Sequence, residues 1–124
     1  MTGLRSLVAV VDDDESVRES LPDLLRELGF AARAFASAEE FLGSDCIGQT
    51  RCLLLDIALP GMSGLDLQRE LTFRRPEIPI VFITAQEDET VRPYVLKRGA
   101  VECLSKPFSD TALHEALTAA FQGS

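Results

Sequence analysis

At four places in this sequence, a short apolar segment ends in polar side chains that are capable of catalysis or ligand binding. Each stands where a strand-length apolar run ends, and in an open parallel sheet that is the edge at which ligands bind. The set contains three carboxylates, a hydroxyl and an ammonium group. Its members are Asp12, Asp13, Asp56, Thr84 and Lys106. The sequence therefore predicts one polar site built from the ends of several strands.

Carboxylates gathered at one site favour a bound cation. Two of them about 4 Å apart repel by roughly 4 kcal/mol at an effective dielectric constant near 20, so the group must protonate or attract a positive charge. Oxygen ligands with room for water suit Mg2+, which commonly works beside phosphate oxygens. Asp56 could then attack a phosphoryl donor, with Lys106 and the metal holding the phosphoryl oxygens and Thr84 donating a hydrogen bond.

Simpler roles compete with this interpretation for each residue taken alone. An aspartate after a strand is most often a turn residue or a helix cap, and we predict that Asp14 is only a cap. Thr84 alone is weak evidence because threonine is common in strands. We interpret His114 as a surface residue and Met62 as a packing residue. The combination of three aspartates with Lys106 at one sheet edge is what indicates chemistry.

Five apolar blocks must position these residues. They alternate with segments of helical period, which is typical of βα units around a parallel sheet. The Leu53–Leu55 and Val81–Ile83 runs are continuously apolar, as expected of central strands covered on both faces. The predicted strands are Leu7–Val11, Ala31–Phe35, Cys52–Leu55, Ile80–Thr84 and Glu102–Ser105.

Helices are predicted between and after the strands. The first has Asp14 as its cap, Gly29 at its end and a local conflict at Pro22, where a bend or break is possible. The Ser37 and Glu40 pair has the spacing of a capping box before a short second helix. The remaining helices are predicted over Leu65–Phe73, near Thr90–Arg98 with Pro93 in the first turn, and after a cap at Ser109 or Asp110.

Length and composition limit the function classes. A chain of 124 residues is one domain, predicted over residues 1–124 with its core at 7–121. The net charge of -8 argues against direct binding to nucleic acid or to anionic membranes. Three cysteines without metal-ligand spacing suit reduced thiols. No signal peptide or membrane span is recognisable, and we expect a cytoplasmic protein.

The motifs VVDDDESVRESL, LLLDIALPGMSGLDL, IPIVFITA and KRGAVECLSKPF resemble the receiver domains of two-component response regulators, over nearly the whole chain. The resemblance implies a flavodoxin-like α/β fold, (βα)5, with strand order 2-1-3-4-5 and helices on both faces. It implies that Asp56 is the phospho-acceptor and that Thr84 and Lys106 act beside it. It also implies Mg2+ bound by Asp12, Asp13, Asp56 and the Ala58 carbonyl, and a cis peptide between Lys106 and Pro107.

The same resemblance implies partners. A sensor histidine kinase or a small phosphodonor would phosphorylate Asp56, and a homodimer is a possible output. The GMSGL run and the KPFSDTAL ending look most similar to FixJ-like regulators, in which a helix-turn-helix DNA-binding domain follows the receiver. This sequence is either a stand-alone receiver or a piece of such a protein.

Three positions bear on how such a switch would behave. The family usually has an aromatic residue three positions before the lysine, where this sequence has Cys103. We hypothesise a weaker or differently routed coupling to the face formed by the fourth helix, fifth strand and fifth helix. Ala58 and Gln86 occupy positions that tune phosphoryl lifetime in the family. Ala58 offers no polar side chain to an attacking water, which predicts slow self-dephosphorylation; a half-life of seconds would contradict it.

Other functions stay open at this point. Asp12, Asp14 and Ser16 match the D-x-D-x-[ST] motif of haloacid-dehalogenase-type phosphohydrolases, although that interpretation leaves Asp56 without a role. A receiver-like scaffold without phosphorylation is a second alternative, but its acceptor and metal residues would normally be lost. The EF-hand pattern fails at Val17 and Asp23, and GxGxxG is absent.

Overall fold

Five parallel strands form one sheet in the order β2-β1-β3-β4-β5. The fold comes from a computed structural model that describes residues 5–85 and 90–122. The predicted strand order is confirmed, and β3 begins two residues earlier than expected and ends on Asp56. The strands are β1 Leu7–Val11, β2 Ala31–Phe35, β3 Thr50–Asp56, β4 Ile80–Thr84 and β5 Glu102–Ser105.

Helices cover both faces of the sheet, as predicted. The third starts one residue before and ends one residue after the predicted Leu65–Phe73. A short 3-10 helix, Asp45–Gln49, precedes β3 and was not predicted. The α-helices are α1 Glu15–Glu27, α2 Ala38–Leu42, α3 Gly64–Arg74, α4 Val91–Lys97 and α5 Asp110–Gln122.

The strands are buried on both sides because successive side chains point to opposite faces. In β1, Val8 and Val10 pack with α1 and α5, while Ala9 and Val11 pack with α2, α3 and α4. Leu53 and Leu54 of β3 divide in the same way. This double coverage explains the continuous apolar runs of the central strands.

The predicted caps are found, with one difference of detail. Asp14 accepts a hydrogen bond from the Ser16 N–H, and Ser109 caps α5 by accepting from the Ala112 N–H. Ser37 accepts from the Glu40 N–H at 3.0 Å, but the Glu40 carboxylate accepts from Ala36 at 3.4 Å instead of closing the box.

Both helix prolines are accommodated. Pro22 is buried inside α1, which continues through it as one helix, so the possible break does not occur. Pro93 is the third residue of α4, within the first turn as predicted. The apolar stripe of α1 therefore outweighs the backbone hydrogen bond that Pro22 cannot donate.

The structure also bears on the predictions for single side chains, for the cysteines and for membrane spans. His114 is exposed, and Met62 packs against the core. The three cysteines are free and buried, with no disulfide among them. Within residues 5–85 and 90–122, every helix is too short or too polar to cross a membrane.

Candidate functional site

The backbone brings the predicted site residues to one edge of the sheet. Asp56 and Thr84 are the last residues of β3 and β4, and Asp12 and Lys106 directly follow β1 and β5. The Lys106 N–H donates to the Thr84 carbonyl at 2.8 Å, and the Asp12 N–H donates to Phe35 at 3.1 Å. These bonds extend the sheet beyond its strands and fix where the side chains start.

Three carboxylates converge at this edge. Asp12, Asp13 and Asp56 each place one oxygen so that all three oxygens lie within 4.8 Å of one another. Asp12 and Asp56 are buried, and Asp13 is exposed. At that separation, each pair repels by about 3 kcal/mol at an effective dielectric constant of 20. Such a cluster needs positive charge to be stable when ionised.

The Asp12 carboxylate is only partly satisfied by hydrogen bonds. Its Oδ1 accepts from the Asp14 N–H at 2.9 Å. Its buried Oδ2 accepts no hydrogen bond of good geometry from the described residues and has an ion-pair contact with Lys106 instead. A buried carboxylate whose second oxygen is held by an ion pair, in a cluster with two further carboxylates, fits a hard divalent cation such as Mg2+.

The Asp56 carboxylate is the second buried member of the cluster. Its side chain is 7% exposed, and its Oδ1 accepts a hydrogen bond from the Ala58 N–H at 3.2 Å. Burial, and then the negative charge of Asp12, raise the pKa of Asp56 from 3.8 to about 6, against the opposing effect of Lys106. Above pH 7 the carboxylate is therefore mostly ionised and basic, as a nucleophile requires.

Lys106 contacts Asp12 more closely than Asp56. Its Nζ lies 2.8 Å from Asp12 Oδ2 and 4.0 Å from Asp56 Oδ2. Partial burial lowers the pKa of Lys106, but the close contact with the charged Asp12 carboxylate, with the charges of Asp56 and Asp14, outweighs it and the net shift is upward. Lys106 therefore stays cationic at neutral pH and offsets part of the carboxylate charge.

The structure also describes the predicted residues Thr84, Ala58 and Cys103. Thr84 is half-buried at the end of β4, and Ala58 is exposed in the segment that follows β3. The Lys106–Pro107 peptide is cis, as the resemblance implied. Cys103 is buried on β5, opposite Phe82 of β4. Gln86 lies outside the described residues.

Asp14 and Ser16 are engaged with each other rather than with the acidic cluster. Asp14 Oδ1 accepts from both the Ser16 N–H at 2.9 Å and the Ser16 hydroxyl at 2.8 Å. The Ser16 hydroxyl is the largest cause of the lowered pKa of Asp14. The phosphohydrolase interpretation needed both residues in the site, so this capping arrangement removes its support.

Two features of the site were not predicted. Lys106 was expected beside Asp56, and its shorter contact with Asp12 depends on side-chain geometry that spacing does not carry. Glu39 of α2 accepts from the Met62 N–H at 2.9 Å, in the segment between β3 and α3. Its only signal in the sequence was that it stands next to Glu40, and only Glu40 was assigned a role there, in capping.

The fold and the acidic edge together define a class: a doubly wound α/β domain with a carboxylate cluster at the carboxyl ends of its strands. A family model described as the response regulator receiver domain matches residues 8–118. The chain therefore belongs to the receiver domains of two-component response regulators.

Similar proteins agree with that assignment. Nodulation protein W of Bradyrhizobium diazoefficiens is 47% identical over 116 residues, which are 94% of this chain and 51% of that protein. The transcriptional regulatory protein FixJ of Azorhizobium caulinodans is 38% identical over 112 residues, 90% of this chain and 53% of FixJ. FixJ is thus among its relatives, as the motifs indicated.

A solved structure of the response regulator StyR is 47% identical, with a TM-score of 0.85, over 95% of this chain and 60% of that chain. The chain spans about half the length of the curated relatives named above. The family and the fold are therefore established, and the activities of the longer relatives remain their own.

Proposed function

We propose that this domain is a phosphorylation-activated switch in which Asp56 accepts a phosphoryl group in a Mg2+-dependent reaction. The donor is a sensor histidine kinase or a small phosphodonor. The observation that carries the proposal is the placement of the Asp56 carboxylate within 4.8 Å of oxygens of Asp12 and Asp13 and 4.0 Å from the Lys106 ammonium.

The step is a displacement at phosphorus. A carboxylate oxygen of Asp56 forms a bond to phosphorus while the bond to the donor breaks and its electron pair leaves with the donor atom. A histidine nitrogen then takes up a proton from water, whereas the oxygen of acetyl phosphate leaves as the acetate carboxylate and needs none. The Lys106 ammonium stabilises the charge on the phosphoryl oxygens. The Thr84 hydroxyl donates a hydrogen bond to the phosphoryl product. Asp56 needs no base because it is ionised above pH 7.

Asp12, Asp13, Asp56 and the Ala58 carbonyl are proposed to hold Mg2+. When bound, the ion supplies positive charge that offsets the repulsion between the carboxylates and stabilises the phosphoryl oxygens during the transfer. The buried Asp12 Oδ2, which accepts no hydrogen bond of good geometry from the described residues, and the exposed Asp13 carboxylate support this assignment. Ala58 also holds Asp56 in place through its own N–H.

The output is proposed to be a changed surface on α4, β5 and α5. Phosphorylation replaces the single negative charge of the Asp56 carboxylate with a phosphoryl group of about -1.5 to -2 charges beside Lys106 and Thr84. A few kcal/mol of differential stabilisation is enough to shift a two-state equilibrium. A homodimer or a DNA-binding domain elsewhere in a longer protein would read the change. The relative FixJ, a transcriptional regulatory protein, supports a transcriptional output. We further propose a cytoplasmic location and a single receiver domain over residues 1–124.

The test is chemical labelling with acetyl phosphate and Mg2+, followed by mass spectrometry of the intact protein and its peptides. We expect one phosphoryl group on the peptide that contains Asp56, and none when the metal is chelated. Asp56→Asn should remove the label. Asp23→Asn, which changes an exposed aspartate of α1 outside the site, should leave it unchanged.

Two results would overturn the proposal. A label on Asp12 instead of Asp56 would favour phosphohydrolase chemistry. No label on the folded wild-type chain from either acetyl phosphate or a phosphorylated histidine kinase would favour a scaffold that uses the receiver fold without its chemistry.

A further inference from the structure

The segment between β3 and α3, residues 57–63, connects the acceptor Asp56 to the third helix. Hydrogen bonds organise its two ends. The Ile57 N–H donates to the Ile83 carbonyl at 3.1 Å, and the Gly64 N–H donates to the Ile57 carbonyl at 3.1 Å. The Leu59 N–H also donates to Ile57, and Ala58 donates to Asp56 Oδ1. These bonds leave the middle of the loop to be held by something else.

The middle of the loop is held by a side chain from α2. The Met62 N–H donates to Glu39 Oε2 at 2.9 Å, across 23 positions of sequence. The neighbouring Gly61 has φ of +71°, a conformation that favours glycine. A Cβ on Gly61 would lie 2.7 Å from Glu39 Oε2, so the carboxylate rests directly against the turn. Glu39 and the loop therefore fit each other closely.

Glu39 itself is set on a fixed base. It lies in the first turn of α2, whose cap Ser37 accepts from the Glu40 N–H. Ala38 and Phe41 on either side are fully buried, so α2 is anchored in the core. The Met62 N–H lowers the pKa of Glu39, and its own backbone N–H adds to this, so the carboxylate is ionised at neutral pH.

We propose that Glu39 is a positioning residue that holds the β3–α3 loop in the geometry required for metal binding and phosphorylation at Asp56. The inference rests on the proposed function, because the loop carries Ala58, whose carbonyl is the proposed metal ligand and whose N–H holds Asp56. Glu39 is not one of the proposed metal ligands, and its contact is with the Met62 N–H of the loop. It acts as an outer partner that keeps a ligand-bearing backbone in place.

The experiment compares Glu39→Ala and Glu39→Gln with the wild-type chain by NMR. Exchange of the Met62 amide reports the tether, and an amide-shift titration with MgCl2 gives the Mg2+ dissociation constant without any phosphorylation. For Glu39→Ala we expect Met62 exchange to accelerate about tenfold. The Mg2+ dissociation constant should rise about 3- to 10-fold, at or below the lower end for outer partners of metal ligands.

Glu39→Gln keeps an acceptor oxygen, so its Met62 exchange rate and its Mg2+ dissociation constant should both return most of the way to the wild-type values. A loss of helix α2 alone would not be rescued in this way. Glu40→Ala is the matched control, because Glu40 is the adjacent carboxylate on the same turn and accepts from Ala36. It should leave Met62 exchange and the Mg2+ dissociation constant within about twofold of the wild type.

Two outcomes would overturn the role of Glu39. One is faster Met62 exchange in Glu39→Ala with an unchanged Mg2+ dissociation constant, which would make the tether irrelevant to the site. The other is equal effects of Glu39→Ala and Glu40→Ala, which would point to a general weakening of α2. Failure of the proposed function is read separately, as the absence of a phosphoryl group on wild-type Asp56 after treatment with acetyl phosphate.

Discussion

At the scale of single residues, the surroundings of Asp56 disfavour its ionised form in the absence of a bound ligand. Burial and the neighbouring Asp12 carboxylate raise its pKa to about 6, and Lys106 offsets only part of this because its closer partner is Asp12. The fold therefore opposes ionisation of Asp56, which is the state that the proposed phosphorylation requires. Such opposition is common at functional sites, where stability is sacrificed for reactivity.

This opposition predicts that Asp56→Asn stabilises the fold in the absence of divalent metal. The folded pKa of about 6 exceeds the ordinary 3.8, so the folded state binds more protons than the unfolded state between these pH values. Wild-type stability attributable to Asp56 therefore falls as pH rises from about 4 through 6. The asparagine variant should exceed the wild type in free energy of unfolding by about 1–2 kcal/mol at pH 8, allowing for water at the site.

The measurement is urea denaturation in EDTA between pH 4 and 8. The advantage of Asp56→Asn should shrink as pH falls below 6 and level off near pH 4. Asp23→Asn serves as the control and should show no comparable trend. A constant difference between the two proteins across this range would mean that Asp56 is not strained by its surroundings.

The residues of the candidate site were predictable because the sequence shows both their chemical types and their positions at the ends of apolar runs. Asp12, Asp56 and Lys106 all follow apolar runs whose carboxyl ends meet at one edge. The pairing of Lys106 with Asp12 was not predictable, since it depends on side-chain reach across two intervening strands. Glu39 was missed because its partner is a backbone N–H far along the chain, which no local pattern reveals.

At the scale of elements, α3 starts very close to the end of β3. The Gly64 N–H donates to Ile57, and a Cβ on Gly64 would lie 2.9 Å from the Ile57 Cα and still nearer to the Asp56 carbonyl. Ser63 and Asp66 close a complete capping box at this helix start. The helix is thus docked against the backbone of the acceptor residue, and only glycine fits at the contact.

We therefore expect Gly64→Ala to destabilise the fold by about 1–3 kcal/mol, because the backbone atoms that it meets cannot move aside cheaply. Gly43→Ala is the matched control. Its Cβ would meet the Glu39 carbonyl at an ordinary 3.5 Å and its φ is -86°, so it should be neutral or stabilising by up to about 1 kcal/mol. Thermal unfolding of both variants followed by circular dichroism makes the comparison. Equal midpoints would show that α3 can shift away from β3.

Some helices and strands were easier to predict from the sequence than others. Strands such as β4 were clear because a continuous apolar run of five residues suits a doubly covered strand. The 3-10 helix Asp45–Gln49 was missed, since it is too short for a periodic signal and only Cys46 within it is buried. The capping box at Ser63 and Asp66 was not predicted, although the two residues have the three-residue spacing of that motif.

At the scale of the whole molecule, the acidic edge is connected to α4 and β5 through the strand ends. Thr84 pairs with Ser105, and Phe82 pairs with Cys103. Glu102 accepts from Arg92 of α4 at 2.6 and 3.0 Å and from the Cys103 N–H at 2.9 Å. A change at Thr84 or Lys106 therefore has a short route to the outer face of β5, and the residue on that route is a small buried thiol.

The small volume of Cys103 predicts that this route carries less signal than an aromatic residue would. Only 8% of Cys103 is exposed, and it packs in the same core cluster as Phe82 and Val95, so a thiol has little volume to relocate when the site is phosphorylated. In Cys103→Tyr, the tyrosine ring could occupy either a crowded inner position or an outer one, so position 103 would have two states. Phosphorylation should then bias that choice, and dimerisation should respond more strongly.

Sedimentation equilibrium with and without acetyl phosphate and Mg2+ tests this coupling. The ratio of dimer dissociation constants between the unphosphorylated and phosphorylated states should be about 5-fold or more larger in Cys103→Tyr than in the wild type, within the usual range of allosteric coupling. Cys103→Ala controls for loss of the thiol and should leave the ratio unchanged, because it adds no group that can move. If Cys103→Tyr is phosphorylated normally at Asp56 and its ratio equals that of the wild type, position 103 does not limit the signal, and the connection between the acidic edge and the α4–β5–α5 face must pass through other residues.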